Sequence, residues 1–120
     1  MVKKANVLGT DYKIEVRKIS EDADLKENGW SGYCNETLKL IVVGDVHDDE
    51  FYKNCTEEER SQIEKEILRH ELTHAFFNES GLSNNSLQYS SGWAKNEEMV
   101  DWFAIQSPKI FKLFTECGCL

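Results

Sequence analysis

The sequence lacks an excess of positive charge. Its 120 residues carry 14 lysines and arginines against 22 aspartates and glutamates, which gives a formal net charge of −8. Proteins that bind nucleic acid need a basic footprint, and anionic membrane surfaces attract basic segments. We therefore expect a protein that binds neither nucleic acid nor a membrane surface.

Long apolar runs are also missing. No stretch approaches the roughly 20 apolar residues that a membrane-spanning helix needs. The N-terminal segment MVKKANVLGTDYK has two lysines but no apolar run behind them, so it does not have the pattern of a signal peptide. A composition that is 40% hydrophobic and 30% charged is typical of a globular protein, and residues 1–120 are enough for one domain. These features predict a single cytoplasmic domain.

The spacing of the four cysteines lacks the C-x-x-C pairs of a structural zinc site. Without an export signal, we expect reduced thiols rather than disulfides. Cys117 and Cys119 form a C-G-C triplet near the C-terminus. A metal or redox role for this triplet is one interpretation, and a mobile terminus without a role is the simpler one.

Repeats and low-complexity segments are absent, and the first half of the chain is strand-like. Residues 5–19 contain a short apolar run, a turn signal and then alternation through Tyr12, Ile14 and Val16. Residues 22–32 are polar and glycine-containing, which favours a loop. Residues 33–44 have clustered β-branched side chains and predict the strongest strand. An acidic connection follows.

The second half of the chain is predicted to begin with a long helix. Thr56 and Glu59 form a T-x-x-E capping box, in which the hydroxyl accepts a backbone amide and the glutamate reaches back. The helical pattern continues to about Glu79, and Ser80-Gly81 supplies the stop signal. The helix is polar at its start and apolar over a wide arc near its end. We expect it to begin in water and run into the core.

Two shorter helices are predicted after a loop over residues 82–92. The first spans about Trp93 to Gln106, and Pro108 begins a short third helix through Phe114. Strands followed by helices predict an α+β fold. We expect a small N-terminal antiparallel sheet packed on the long helix and on the second helix.

Histidine is scarce, yet two of the three histidines lie close together, in the segment ILRHELTHAFF at residues 67–77. His70 and His74 are one helical turn apart, so their imidazoles approach one point and suit two corners of a zinc tetrahedron. Glu71 lies about 100° round the helix, where it can reach a water on the metal and act as a general base. The same stripe is predicted to face inward, which leaves two buried core histidines as the alternative. The stripe consists of Ile63, Ile67, His70, His74 and Phe77.

A zinc ion needs a third protein ligand, and no histidine follows His74. This absence excludes the H-E-x-x-H-x-x-G-x-x-H pattern of metzincins. The segment WAKNEEMVDWFA offers carboxylates instead. Glu97 and Asp101 are four residues apart on one helix face, so Glu97 can bind the metal while Asp101 accepts a hydrogen bond from a ligating histidine. Glu98 as ligand, or a solvated acidic face without a ligand, are the alternatives.

The segments HELTHAFFNESGL and NEEMVDWFA together resemble the small gluzincin-type zinc metallopeptidases. Among these the chain is most similar to the ImmA/IrrE-type proteins and their minimal relatives encoded by phages and integrated elements. In that family an H-E-x-x-H helix is followed by a helix of the form E-x-x-A-N/D-x-F-A. The resemblance covers roughly residues 56–106. The matching positions in the second helix are Glu97, Val100, Asp101, Phe103 and Ala104.

The resemblance implies a minimal zincin-like domain that hydrolyses peptide bonds. It implies that His70, His74 and Glu97 bind Zn²⁺ and that Glu71 is the catalytic base. The expected partner is a peptide or protein substrate, such as a repressor-like or host protein. Tyr89 and His47 are candidate donors to the oxyanion.

The chain departs from the family pattern in two ways. Val100 stands where the family has a small residue, and the segment IQSPKI replaces the usual Leu-Leu-Met-Pro-like continuation. The resemblance therefore implies the chemistry of the family but does not imply a particular substrate. A strand through residues 38–43 is expected to form the rim of the cleft and to pair with an extended peptide.

A zinc-stabilised, non-catalytic protein-binding module of a phage or mobile element is the rival hypothesis. Zinc would then serve only to hold two helices together. A carboxylate beside an open coordination position has no use in such a site, so Glu71 favours the peptidase.

Overall fold

The computed structural model describes residues 1–82 and 93–120. Within them, four strands and three α-helices form a mixed α/β structure, which confirms the α+β class. No helix in the described part of the chain is long and apolar enough to cross a membrane. The elements are β1 (Lys4–Val7), β2 (Thr10–Arg17), α1 (Ala23–Asn28), β3 (Gly32–Asn35), β4 (Leu40–Gly44), α2 (Glu57–Glu79) and α3 (Glu97–Glu116).

The strands form one sheet in the order β1-β2-β4-β3. The pairs β1–β2 and β3–β4 are antiparallel, but β2 and β4 are parallel, with Ile14 opposite Ile41. The prediction of an antiparallel sheet is therefore wrong at its centre. A parallel pair needs a crossover connection, and the segment that contains α1 and β3 provides it.

The polar segment over residues 22–32 forms α1, where a loop was predicted. The Asp22 side chain accepts a hydrogen bond from the Leu25 amide at 3.0 Å, and Gly29 ends the helix in the left-handed region at φ 66°. Six residues are too few to show a helical period, and Leu25 is the one fully buried side chain of α1. The caps were the only signal of this helix in the sequence.

Residues 33–44 form a hairpin rather than one strand. Asn35 accepts a hydrogen bond from the Leu38 amide at 2.9 Å, and Lys39 adopts a positive φ of 52° at the turn. β4 consequently lies between β2 and β3, with its backbone groups engaged on both sides. The strand expected to pair with a peptide cannot do so, and the edge strands of the sheet are β1 and β3.

The predicted start and end of the long helix α2 are both confirmed. The capping box of Thr56 and Glu59 is formed, and the helix ends at Glu79 before Gly81, whose φ is 80°. One side of α2 packs on the sheet, and the Glu79 carboxylate accepts hydrogen bonds from Thr10, Tyr12 and Lys39 at 2.6–2.8 Å. The core between helix and sheet contains Val7, Tyr12, Ile14, Ile41, Val43 and Ala75, with Ile67, Leu68 and Leu72 packed against it.

One helix, α3, replaces the two helices predicted after residue 92. Residues Trp93–Lys95 form a 3-10 turn, and the Asn96 side chain then caps α3 by accepting from the Met99 amide at 2.9 Å. Pro108 lies inside α3 rather than at the start of a new helix. The helix packs on α2 through Val100, Ala104 and Ser107, which are all buried.

Candidate metal centre

His70 and His74 project from α2 into a groove and not into the core. Their side chains are 21% and 19% exposed, and the stripe that contains them is half-buried where a buried stripe was predicted. The core-facing positions of α2 are Ile67, Leu68, Leu72 and Ala75, of which only Ile67 belongs to the predicted stripe. The histidines are therefore accessible from solvent. A catalytic metal site requires this access, whereas a buried pair of core histidines would not have it.

Helix α3 brings Glu97 against both histidines. The distance from Glu97 Oε2 to His70 Nε2 is 3.1 Å, and that to His74 Nε2 is 3.2 Å. The two Nε2 atoms lie 3.1 Å apart. These three atoms form a nearly equilateral triangle that is open to the groove on one side.

The triangle has dimensions that fit a tetrahedral zinc ion. Zinc binds imidazole nitrogen and carboxylate oxygen at about 2.0–2.1 Å, which places neighbouring ligand atoms about 3.3 Å apart. The observed separations of 3.1–3.2 Å are close to that value. Two neutral imidazoles and one carboxylate are also a donor set that zinc prefers, with a fourth position left for water. These residues could hold the metal.

Asp101 lies behind His70, on the side away from the triangle. Its Oδ1 atom is 2.7 Å from His70 Nδ1, one turn along α3 from Glu97. An N–H on Nδ1 that donates to this carboxylate leaves the lone pair of Nε2 directed at the triangle. The structure thus places Asp101 where the sequence predicted an orienting partner.

Glu71 is beside the triangle and is not part of it. Its side chain is only 6% exposed, and its Oε1 lies 3.9 Å from His70 Nε2. His70, Glu71 and His74 nevertheless offer three possible ligand atoms within 4.8 Å of one another. Burial, followed by the negative charges of Glu97 and Asp101, raises the pKa of Glu71 to about 8. Burial also lowers the pKa of His74, which favours the neutral imidazole that a metal needs.

Gly32 allows β3 to lie directly over Glu71. A Cβ atom at this glycine would be 3.2 Å from Glu71 Oε1, 2.9 Å from Ile67 Cγ2 and 2.8 Å from the Val42 carbonyl oxygen. A larger residue would push β3 away from α2. β3 and the face of α2 that carries Glu71 therefore depend on this glycine for their close approach.

The cluster opens into a groove of about 1060 Å³ between β3 and α3, with α2 as its floor. One end is lined by Trp30, Tyr52, Ile63 and Ile67, and the other by Asn35, Glu36 and Asn78. A groove with the cluster at its centre suits an elongated ligand rather than a compact one.

Several candidate residues lie elsewhere. His47 contacts Glu57 and Glu64 at 3.1 and 3.5 Å, near the start of α2, and it does not line the groove that contains the cluster. Tyr89 lies outside the described residues. Glu98 does not line the groove, and Cys117 and Cys119 are exposed free thiols at the far end of α3.

Arg69, which sequence reasoning did not single out, joins α2 to α3. Its Nε donates to the Ala104 carbonyl oxygen at 2.6 Å. In a regular helix that carbonyl would accept from the amide four residues on, but residue 108 is proline and has no N–H. Arg69 therefore supplies the missing donor. The contact joins the residue before His70 on α2 to the residue three positions after Asp101 on α3. Proline inside a helix with an arginine on the facing helix was the only signal.

Loss of this contact is expected to destabilise the protein. Arg69→Met removes the donor to Ala104 and should lower the free energy of unfolding by about 1.5–3 kcal/mol, the range for a hydrogen bond from a charged group. In a Pro108→Ala background the cost should be clearly smaller, because the helix then provides its own donor. Denaturant unfolding of the four proteins of this double-mutant cycle measures both costs. Equal costs in the two backgrounds would show that the carbonyl does not need Arg69.

The residues that carry the resemblance to gluzincins also meet in space, with Glu71 next to His70, His74 and Glu97. His70, Glu71 and His74 lie on α2 and Glu97 lies on α3, so the packing of these two helices brings Glu97 to the histidines. Comparison of the chain with protein-family models, curated proteins and solved structures finds no match.

Proposed function

We propose that this protein is a zinc-dependent peptidase in which His70, His74 and Glu97 bind the metal and Glu71 is the general base. The observation that carries the proposal is the triangle of donor atoms with edges of 3.1–3.2 Å, next to a buried carboxylate that is not one of its corners. Three protein ligands with an open fourth position are typical of catalytic zinc.

Zinc held in this triangle would supply Lewis-acid activation of a water and of the scissile carbonyl. The Glu71 carboxylate accepts a proton from the attacking water and later delivers it to the nitrogen of the leaving amine. Asp101 keeps the proton of His70 on Nδ1 throughout, so that Nε2 stays available as a ligand. Water adds across the C–N bond, and the products are a carboxylate and an amine.

The free edge of β3 supports an extended peptide as substrate. The Gly44 amide donates to the Ser31 carbonyl at 2.7 Å, so residues 31, 33 and 35 direct their backbone groups at β4. Alternation then directs the backbone groups of Gly32 and Cys34 away from β4. An extended chain beside β3 can pair with them and bring a peptide bond close to Glu71.

The binding-module hypothesis accounts for the triangle but not for Glu71. A structural zinc site that only holds two helices together typically has four protein ligands and no open position. A buried carboxylate beside such a site would cost desolvation free energy and would not contribute to binding the metal. That cost is visible in the raised pKa of Glu71. A buried carboxylate next to an open coordination position is the arrangement that supports catalysis.

Removal of the metal tests the proposal. We expect one zinc per chain, and chelation should lower the melting temperature because the ion joins ligands from α2 and α3. Cleavage of a mixed peptide library should be lost with the metal and restored by added zinc. Protein that holds no metal, with full helix content and an unchanged melting temperature after chelator treatment, would contradict the proposal.

A further inference from the structure

We infer that the end of the groove nearest the start of α2 binds a long basic side chain, arginine or lysine, of an extended peptide. This inference rests on the proposed function and names the class of substrate. It follows from an apolar bed and from the charge complementarity offered by a rim of carboxylates that have no counter-ions among the described residues.

The bed consists of Trp30, Tyr52, Ile63 and Ile67, which line one end of the groove. Arg60 holds the Tyr52 segment against α2 by donating to the Tyr52 carbonyl at 3.1–3.2 Å, and the Tyr52 hydroxyl is 3.5 Å from Ser31 Oγ. Ile63 precedes His70 by seven residues, about 10 Å along the helix axis. A side chain that starts at the peptide beside Glu71 first meets Ile67, and it must be long to reach Ile63 at the far end of the bed.

The rim above the bed is acidic. Asp24 and Glu66 are exposed and line the same groove, and Glu36 lies at its opposite end. Within the described residues, the ion pairs of the protein leave all three without a cation. Lys95 is the one lysine or arginine among the described residues that line the groove. A cation from a ligand would complete this charge pattern.

Arginine and lysine have the chemistry that this end of the groove offers. Their aliphatic stems can lie on Ile63 and Ile67 while the charged head stays in water near Asp24 and Glu66. The faces of Trp30 and Tyr52 add an attraction for a cation. An acidic side chain would meet the like charges of Asp24 and Glu66.

The position of Glu71 relates the bed to a peptide that pairs with β3. Its side chain is 6% exposed, lines the same groove and lies beside Gly32 of β3. An extended peptide on β3 would therefore pass Glu71 and continue along the groove towards the bed.

The experiment measures peptide binding rather than turnover. Zinc-loaded Glu71→Gln protein is titrated into fluorescently labelled peptides that differ at one position: arginine, its neutral isostere citrulline, or glutamate. We expect the arginine peptide to bind about three- to tenfold more tightly than the citrulline peptide at low salt, with the difference reduced at high salt. The glutamate peptide should bind most weakly.

Variants of the rim locate the effect. Glu66→Gln and Asp24→Asn, both at exposed positions, should each reduce the preference for arginine over citrulline. Glu58→Gln makes the same charge change on α2 outside the groove and should leave the preference intact. Equal affinity for the arginine and citrulline peptides, or a preference that survives loss of both rim carboxylates, would overturn the inference.

If wild-type protein cleaves peptides without such a preference, the peptidase stands and the inference fails. If the preference is found and wild-type protein cleaves none of these peptides, the inference stands and the peptidase fails.

Discussion

Glu71→Gln should abolish peptide hydrolysis while leaving zinc in place. The glutamine keeps the size of the side chain but cannot accept a proton from water, so the general base is lost. General bases contribute about 10²–10⁴-fold to rate, and we expect a fall in kcat at the upper end of that range. Glu71 is not a corner of the donor triangle, so the metal content should stay at one per chain.

The fold should also tolerate this change. Burial raises the pKa of Glu71, which means that the site disfavours the charged carboxylate, and a neutral amide in its place avoids that cost. Glu58→Gln serves as the control, since it changes the same charge at an exposed position of α2. Cleavage by Glu71→Gln at the wild-type rate would contradict the assigned base. A wild-type protein that never cleaves but binds a partner tightly would favour the binding module.

Substitutions in α3 should affect zinc affinity in a fixed order. Glu97→Ala removes one of three protein ligands, and the ion is then held mainly by His70 and His74. Asp101→Asn leaves all three ligands but weakens the orientation of His70, for which a loss of about 10- to 100-fold is expected. The loss for Glu97→Ala should be larger than that. Competition titration with a chromogenic chelator measures the affinities.

Glu98→Ala is the matched control for this series. Glu98 is next to Glu97 in the sequence but about 100° round the helix, and it does not line the groove. Its removal should change zinc affinity little. An essential Glu98 with a dispensable Glu97 would assign the third ligand to Glu98 and would contradict the roles of Glu97 and Asp101.

Local signals in the sequence were enough to predict the helix that carries the histidines. The capping box of Thr56 and Glu59 and the glycine at residue 81 fixed both ends of α2. Helical spacing alone placed His70 beside His74, and Glu97 four residues before Asp101. That Glu97 Oε2 lies 3.1–3.2 Å from both histidines is a property of the packing of α3 on α2, which spacing within one helix does not specify.

Features that depend on tertiary contacts were not predicted. The parallel pairing of β2 with β4 requires knowledge of the crossover, and α1 is too short to show a period. Pro108 carries the local signal of a helix start. α3 continues through it because Arg69, on another helix, takes the carbonyl that the proline leaves free. The prediction that strand 38–43 forms the rim failed because β3 pairs with it and becomes the edge.

The most direct test of the metal site is a crystal structure of the purified protein with data collected on both sides of the zinc absorption edge. We expect a single anomalous peak within bonding distance of His70 Nε2, His74 Nε2 and Glu97, with Glu71 outside the coordination shell. Absence of a zinc edge from protein purified without chelators, or a peak at another site such as His47, would contradict the account.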